Sequence, residues 1–285
     1  MRIAISGHTG FIGSFLKEHF VPQGHTITGI GRKDYRKGVS HLAAMLEGVD
    51  VLVNLAGAPI VKRWTKTYSK ILWDSRIVTT RKLTDAIAMT RQRPKVFIST
   101  SGVNIYENHG VHTENQAGYN QDFLGILCQR WEEEALRARI HCNTYIIRAG
   151  VVLGSEGGAL PQMALPFKLF AGGRIGSGKQ IVSWIHKDDY AAALQMIMEK
   201  LPDSQVFNFT SPYPATNAEL SRQIAKTLNR PYYLPVPGFA LKLLYGEGAV
   251  VLLEGPYALP ENLQKEGFSH RYPTVQEAIP NLLDK

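Results

Sequence analysis

Cysteine is scarce in this chain. Cys128 and Cys142 are the two in 285 residues, which is no disulfide framework, and both read as reduced structural thiols. Long apolar runs are missing as well. No stretch approaches the roughly 20 residues of a membrane span, so no membrane partner is expected. A core-strand pattern begins at Arg2, and the expectation is a cytoplasmic enzyme with no signal peptide. His109 and His112 have loose metal-like spacing without a cysteine or carboxylate set around them, and no metal is expected. Repeats and low-complexity tracts are lacking. What is present is a 44% hydrophobic composition, enough for one large α/β core with or without a small lobe.

Acidic charge is thin in one place. The formal net charge is +8, and between Lys62 and Lys95 ten basic residues stand against Asp74 and Asp85. The rest of the chain balances. Nucleic acid is one reading of such a segment. Much of it, however, patterns as a single long helix with its charges in solvent, and an anionic phosphorylated ligand uses the same charge. No nucleic-acid partner is expected.

The first thirteen residues carry the strongest signal. Arg2–Ser6 is β-rich, the turn Gly7-His8-Thr9-Gly10-Phe11-Ile12-Gly13 follows at once, and Phe11–Phe20 patterns as a helix. A strand that turns through glycines into a helix aims backbone N–H groups and the positive helix end at one point, where a dinucleotide's pyrophosphate binds. Gly7, Thr9, Gly10, Phe11, Ile12 and Gly13 are therefore candidate cofactor-binding residues.

Strand and helix signals then alternate. Strands are predicted at Thr26–Ile30, Val49–Leu55, Val96–Thr100 and Thr144–Arg148, with helices at Tyr68–Met89 and Phe123–Arg139. Such repeats predict an α/β fold, a Rossmann-type doubly wound parallel sheet. After Gly150 the pattern changes to glycine- and proline-rich loops and shorter helices at Asp188–Glu199, Asn217–Leu228 and Phe239–Leu253. Asp188 and Asp189 read as caps of the first of these. The expected division is a cofactor domain over 1–150, to which later segments return, and a smaller substrate lobe with a C-terminal helical region over 151–285.

Cofactor choice is read at the end of the second strand. NAD-selective folds place a carboxylate there for the ribose 2′-hydroxyl. Here Gly31, Arg32 and Lys33 follow Ile30, and a guanidinium binds a 2′-phosphate in a charge-assisted way. NADP (NADPH) is the expected cofactor. The third strand ends in Asn54, Leu55, Ala56 and Gly57, small residues that let backbone approach the nucleotide.

The Gly-x-x-Gly-x-x-Gly spacing resembles that of the extended short-chain dehydrogenase/reductase superfamily of sugar-nucleotide epimerases and dehydratases. Asn54-Leu55-Ala56-Gly57-Ala58-Pro59-Ile60, Arg63-Trp64, Asp74-Ser75-Arg76, Gly176-Ser177-Gly178-Lys179-Gln180 and Ser183-Trp184-Ile185-His186 resemble an atypical NADP-binding, epimerase-like subfamily. Its C-terminal region is a domain of unknown function. The resemblance runs over nearly the whole chain. It implies a cofactor role for Arg76 on the long helix, and for Arg148 and Val151 in a strand-end Arg-x-Gly turn near the nicotinamide. It also places Ser101 where the superfamily keeps its catalytic hydroxyl.

The superfamily's Tyr-x-x-x-Lys pair is missing: none of the twelve tyrosines has a lysine four residues on, and the matching places fall on Leu124 and Cys128. The subfamily lacks the pair too and tends to carry two tyrosines after the serine, of which this chain keeps Tyr106, the candidate proton donor. Two functions are then open. One is an NADP-dependent oxidoreductase or epimerase acting on a small anionic or nucleotide-sugar-like substrate, with the flexible cationic loop Gly172–Gln180 closing over it. The other is a catalytically weak NADP(H)-binding regulator or redox sensor. Oligomeric state is not legible.

Overall fold

The computed structural model describes residues 1–284. Six parallel strands form the central sheet: β1 (Arg2–Ser6), β2 (Thr26–Ile30), β3 (Val51–Asn54), β4 (Val96–Gly102), β5 (Asn143–Ala149) and β6 (Val206–Phe209). Their order across the sheet is β2-β1-β3-β4-β5-β6. The chain reverses direction across the sheet between β1 and β3, and in open α/β sheets the crevice at that switch point receives the ligand. The expected doubly wound Rossmann-type α/β fold is what the chain adopts.

Helix α1 (Phe11–Phe20) covers one face of the sheet. On the other lie α2 (Arg32–Arg36), α3 (Val39–Leu46), α5 (Ile77–Met89) and α6 (Phe123–Leu136), with α4 (Lys66–Asp74) packed against α5 and α6. The core on the α1 side joins Ile3, Ile5, Leu16 and Phe20 to Ile98, Ile147 and Phe207. The opposite core joins Leu42, Leu52, Leu83 and Phe97. Strands buried on both faces read as near-continuous apolar runs, as Ile3–Ile5 and Val51–Val53 do.

A further core gathers Leu160 and Phe167 of α7 (Leu160–Lys168), Trp184, Leu220 and Ile224, and Ile279 of the last helix. Helix α8 (Lys187–Lys200) returns to the α1 face through Tyr190, Leu194 and Ile197. No helix among the described residues is long and apolar enough to cross a membrane.

Two expected helices are broken. The stretch Tyr68–Met89 is interrupted at Ser75–Arg76, where the Arg76 backbone leaves the helical path (φ −110°, ψ −60°). Tertiary bonds override the periodicity: Ser75 Oγ accepts the N–H of Ala58 at 3.0 Å, and Arg76 turns inward. The stretch Phe239–Leu253 stops at Tyr245, because Gly246 takes φ +59° and a tight turn through Ala249 follows. The cap of α8 is also not an aspartate. His186 Nδ1 accepts the N–H of Asp188 at 3.1 Å, while Asp189 turns inward to accept the N–H groups of Arg271 and Tyr272.

Candidate functional site

The turn after β1 is built as an anion cradle. Gly7 sits at φ +82°, and a Cβ there would come within 3.0 Å of the Leu55 backbone, so no larger residue fits. Gly10 caps α1 without a side-chain hydrogen bond, and the first turn of α1 holds no acidic residue. The orphan N–H groups and positive end of α1 are thus free for a phosphate. Thr9, Gly10 and Phe11 line a cavity of about 300 Å³ together with Ser14 and Glu156. Phe11 packs on Phe15 at 5.5 Å, and Gly154, Gly157 and Gly158 lie so close to its ring that a Cβ on any of them would collide. A glycine-rich loop therefore closes over the phosphate turn. Glu156 is held at 2.6 Å by Lys187. Burial opposes its ionisation, but the Lys187 ammonium draws it down to about 2.

At the end of β2, Arg32 and Lys33 begin α2 with exposed side chains. The carboxylate beside them is already engaged. Asp34 accepts the N–H of Gly31 at 2.9 Å and faces His41 at 3.2 Å, and the Gly31 hydrogen bond above all holds its pKa below the usual value. Sequence reasoning missed His8. Its ring lies across Gly29, where a Cβ would sit 2.6 Å from it, and its Nδ1 is 3.2 Å from Ile30 O. A glycine inside a strand was the available signal.

The end of β3 corrects one expectation. The Asn54 side chain is fully buried and turned inward: Nδ2 donates to Thr80 Oγ1 (2.9 Å) and Ser99 Oγ (3.2 Å), and Oδ1 accepts the N–H of Ala56. It shapes the Leu55-Ala56-Gly57 turn and does not face the crevice. Gly57 leaves space for Arg76, a residue 9% exposed. Arg76 donates to Ala58 O (3.1 Å) and Leu72 O (3.3 Å) and lies 5.2 Å from the Trp131 ring. Its partners are carbonyls, a hydroxyl and a ring face, and no carboxylate among the described residues pairs with it. Burial pulls its pKa below the usual value. A buried cation without a counter-ion is costly.

Ser101 lies at the end of β4, 5% exposed, and its Oγ has no hydrogen-bond partner among the described residues. Its polar neighbour is the Cys128 sulfur, a weak partner. Burial pushes that thiol up to about 11, so Cys128 is neutral where the superfamily has lysine. Leu124, in the tyrosine's place, is buried among hydrophobic neighbours.

Tyr106 is corrected. It is fully buried, stacked on His112 at 5.2 Å, and its hydroxyl donates to Asn208 Oδ1 at 2.7 Å and accepts from Arg148 Nη1 at 2.8 Å. Burial raises its pKa above the usual tyrosine value, against the opposing pull of Arg148. The phenol is a structural link rather than an open proton donor.

Arg148 is corrected with it. Nε and Nη2 grip both oxygens of buried Glu132 at 2.9 and 2.8 Å, and Nη2 also reaches Tyr119 at 3.3 Å. Four of its five N–H donors are committed inside the protein. Glu132, the anchor of this network, had no motif to announce it. Val151 is half-buried and lines a cavity of about 90 Å³ with Val103, Asn104, Met163, Val182 and Glu254. Ser101 itself does not line it; Val103, two residues on in sequence, does. The cations of the Gly172–Gln180 loop, Arg174 and Lys179, are exposed and do not line it.

A parallel sheet with this order, a glycine turn feeding α1 and a serine ending β4 define a Rossmann protein of the short-chain dehydrogenase/reductase type. The model of the NAD dependent epimerase/dehydratase family matches residues 3–209, and that of a domain of unknown function matches residues 236–282. The chain belongs to the NAD dependent epimerase/dehydratase family. It is 38% identical over 298 aligned residues to the chloroplastic epimerase family protein SDR39U1 homolog of Arabidopsis thaliana, covering 98% of this chain and 86% of that protein. The crystal structure of human epimerase family protein SDR39U1 with NADPH superposes with a TM-score of 0.91 at 33% identity, with both chains covered in full. MoeE5 in complex with UDP-glucuronic acid and NAD shares the fold, with a TM-score of 0.79 at 17% identity over 100% of this chain and 98% of that one.

Proposed function

We propose that this chain is an NADPH-dependent oxidoreductase or epimerase-like enzyme that works on a small carbonyl substrate at Ser101. The observation that carries the reading is the buried Ser101 Oγ, which has no partner better than the weak Cys128 thiol near the end of a central strand. A buried hydroxyl without a partner is rare, and a substrate oxygen held in the crevice would complete it.

The residues fit the cofactor. The free N–H groups at Phe11, Ile12 and Gly13 would take the diphosphate, and Arg32 with Lys33 the 2′-phosphate. Leu55, Ala56 and Gly57 would let the ribose approach, and Arg76 would place its unpaired charge beside the phosphates. The NADPH bound by human SDR39U1 supports the same choice. NADPH supplies a hydride for a carbonyl carbon. Ser101 would hold the carbonyl oxygen, and the proton completing the alcohol would come from solvent, since Tyr106 is engaged elsewhere. That arrangement predicts slow turnover.

One observation favours the second reading, a weakly catalytic NADP(H) sensor: Leu124 and neutral Cys128 stand where an activated tyrosine pair would. NADPH oxidation by the purified protein against a carbonyl panel decides between them. Ser101→Ala is expected to cost roughly 10²–10³ in rate with NADPH affinity unchanged. Tyr106→Phe is expected to keep the rate and lose about 1–3 kcal/mol of stability, from the partners left unsatisfied. Tight NADPH binding with no turnover of any substrate would give the lead to the sensor.

A further inference from the structure

The cavity lined by Val103 and Asn104, which follow Ser101 closely in the chain, is read as the place of the substrate body, and its role in selecting that substrate rests on the assignment of Ser101. Its walls are largely apolar, with Val103, Met163, Val182 and Val251 supplying side chains. The charged residue in the lining is Glu254, an exposed carboxylate whose Oε2 accepts from Asn108 Nδ2 at 2.7 Å. Gln180 also lines the space, but its amide N–H groups donate to Ile175 O and Leu252 O, both at 3.1 Å. No arginine or lysine takes part. The basic loop that promised an anion site points Arg174 and Lys179 into solvent.

We propose that this cavity selects an uncharged, largely apolar substrate and rejects diphosphate-linked sugars. An anion entering it would lose hydration, find no cation in the lining and meet the field of Glu254. A neutral ring or short alkyl body would bury against the valines and Met163, and Asn104 would remain for one hydroxyl or amide. The built-in carboxylate rejects as much as the apolar wall attracts, which is how such sites discriminate.

Ligand-detected NMR on the NADPH-bound protein tests the proposal without requiring turnover. The probes are cyclohexanecarboxamide, cyclohexanecarboxylate and UDP-glucose. The carboxamide is expected to bind at least tenfold more tightly than either anion. Val182→Trp should abolish its binding and leave NADPH affinity unchanged. Glu254→Lys should raise affinity for the carboxylate by about tenfold. UDP-glucose or the carboxylate binding the wild type as well as the carboxamide overturns the proposal. So does failure of the carboxamide to bind, or its survival in Val182→Trp. Turnover of a neutral carbonyl that Ser101→Ala leaves untouched would instead remove the reading of Ser101, whatever the NMR result.

Discussion

Arg76 lies so close against Gly57 that a Cβ on the glycine would sit 3.1 Å from both the guanidinium carbon and Nη2. The pair joins the turn after β3 to the break between α4 and α5. The helix breaks there, and the Arg76 guanidinium turns inward onto Gly57 and Ala58 O.

Replacing this arginine should move folding and binding in opposite directions. Arg76→Met removes a buried charge that has no carboxylate, so the cofactor-free protein should be as stable as wild type or more so in thermal unfolding. NADPH affinity should fall about 10–100-fold, the value of a charge-assisted contact of about 1.5–3 kcal/mol. Gly57→Ala should weaken binding less, by displacing the guanidinium. An Arg76→Met protein that binds NADPH normally would remove the anion-site assignment.

The 2′-phosphate assignment is tested at the exposed start of α2. NADPH should bind more tightly than NADH by about 1–3 kcal/mol, and Arg32→Ala should erase most of the difference. Titration calorimetry with both nucleotides measures it. The neighbouring Asp34 should not restore NAD preference, because its carboxylate is held by the Gly31 N–H.

Local rules carried β1, α1 and β2 to their observed ends, since strand, glycine turn and helix there are short-range features. The roles expected of Arg148 and Tyr106 came from the resemblance instead, and both side chains are engaged inside the protein. Their roles depend on Glu132, which lies on α6, and on Asn208 of β6, a hundred residues beyond Tyr106 in sequence. Neither pairing leaves a trace in periodicity. Ser75 and Arg76 likewise fit the helical pattern until Ala58 is folded against them. The orphaned Ser101 hydroxyl was placed by resemblance, and only packing makes its missing partner visible.

The Arg148–Glu132 pair should behave as an internal strut. Both side chains are under 10% exposed and bonded through two contacts, so Glu132→Ala should destabilise the protein by about 3–5 kcal/mol by stranding the guanidinium. Replacing both residues with apolar ones of similar volume, Glu132→Leu with Arg148→Met, should recover much of that loss. Chemical denaturation of the three proteins checks the non-additivity. If the single and double variants lose the same amount, the strut is not the source of the effect.

Glu114 sets the last expectation, a pH dependence. Its Oε1 accepts the N–H of Asn208 on the edge strand β6 at 2.7 Å, and its Oε2 accepts that of Asn262 at 3.3 Å. Burial raises its pKa from 4.5 to about 7, against the pull of these two N–H groups, and Glu261 adds to the rise. The folded state therefore binds a proton that the unfolded chain has released between pH 4.5 and about 7. Stability from this group is complete below pH 4.5 and is lost as pH rises through about 7. Glu114→Gln cannot titrate there, and the other groups titrate alike in both proteins. The stability of wild type relative to Glu114→Gln should thus decline by about 1–3 kcal/mol between about pH 5 and pH 8. Thermal unfolding of both proteins across that window measures the difference. A flat difference, or one that rises with pH, would mean that Glu114 is ionised throughout and that its two backbone bonds outweigh its burial.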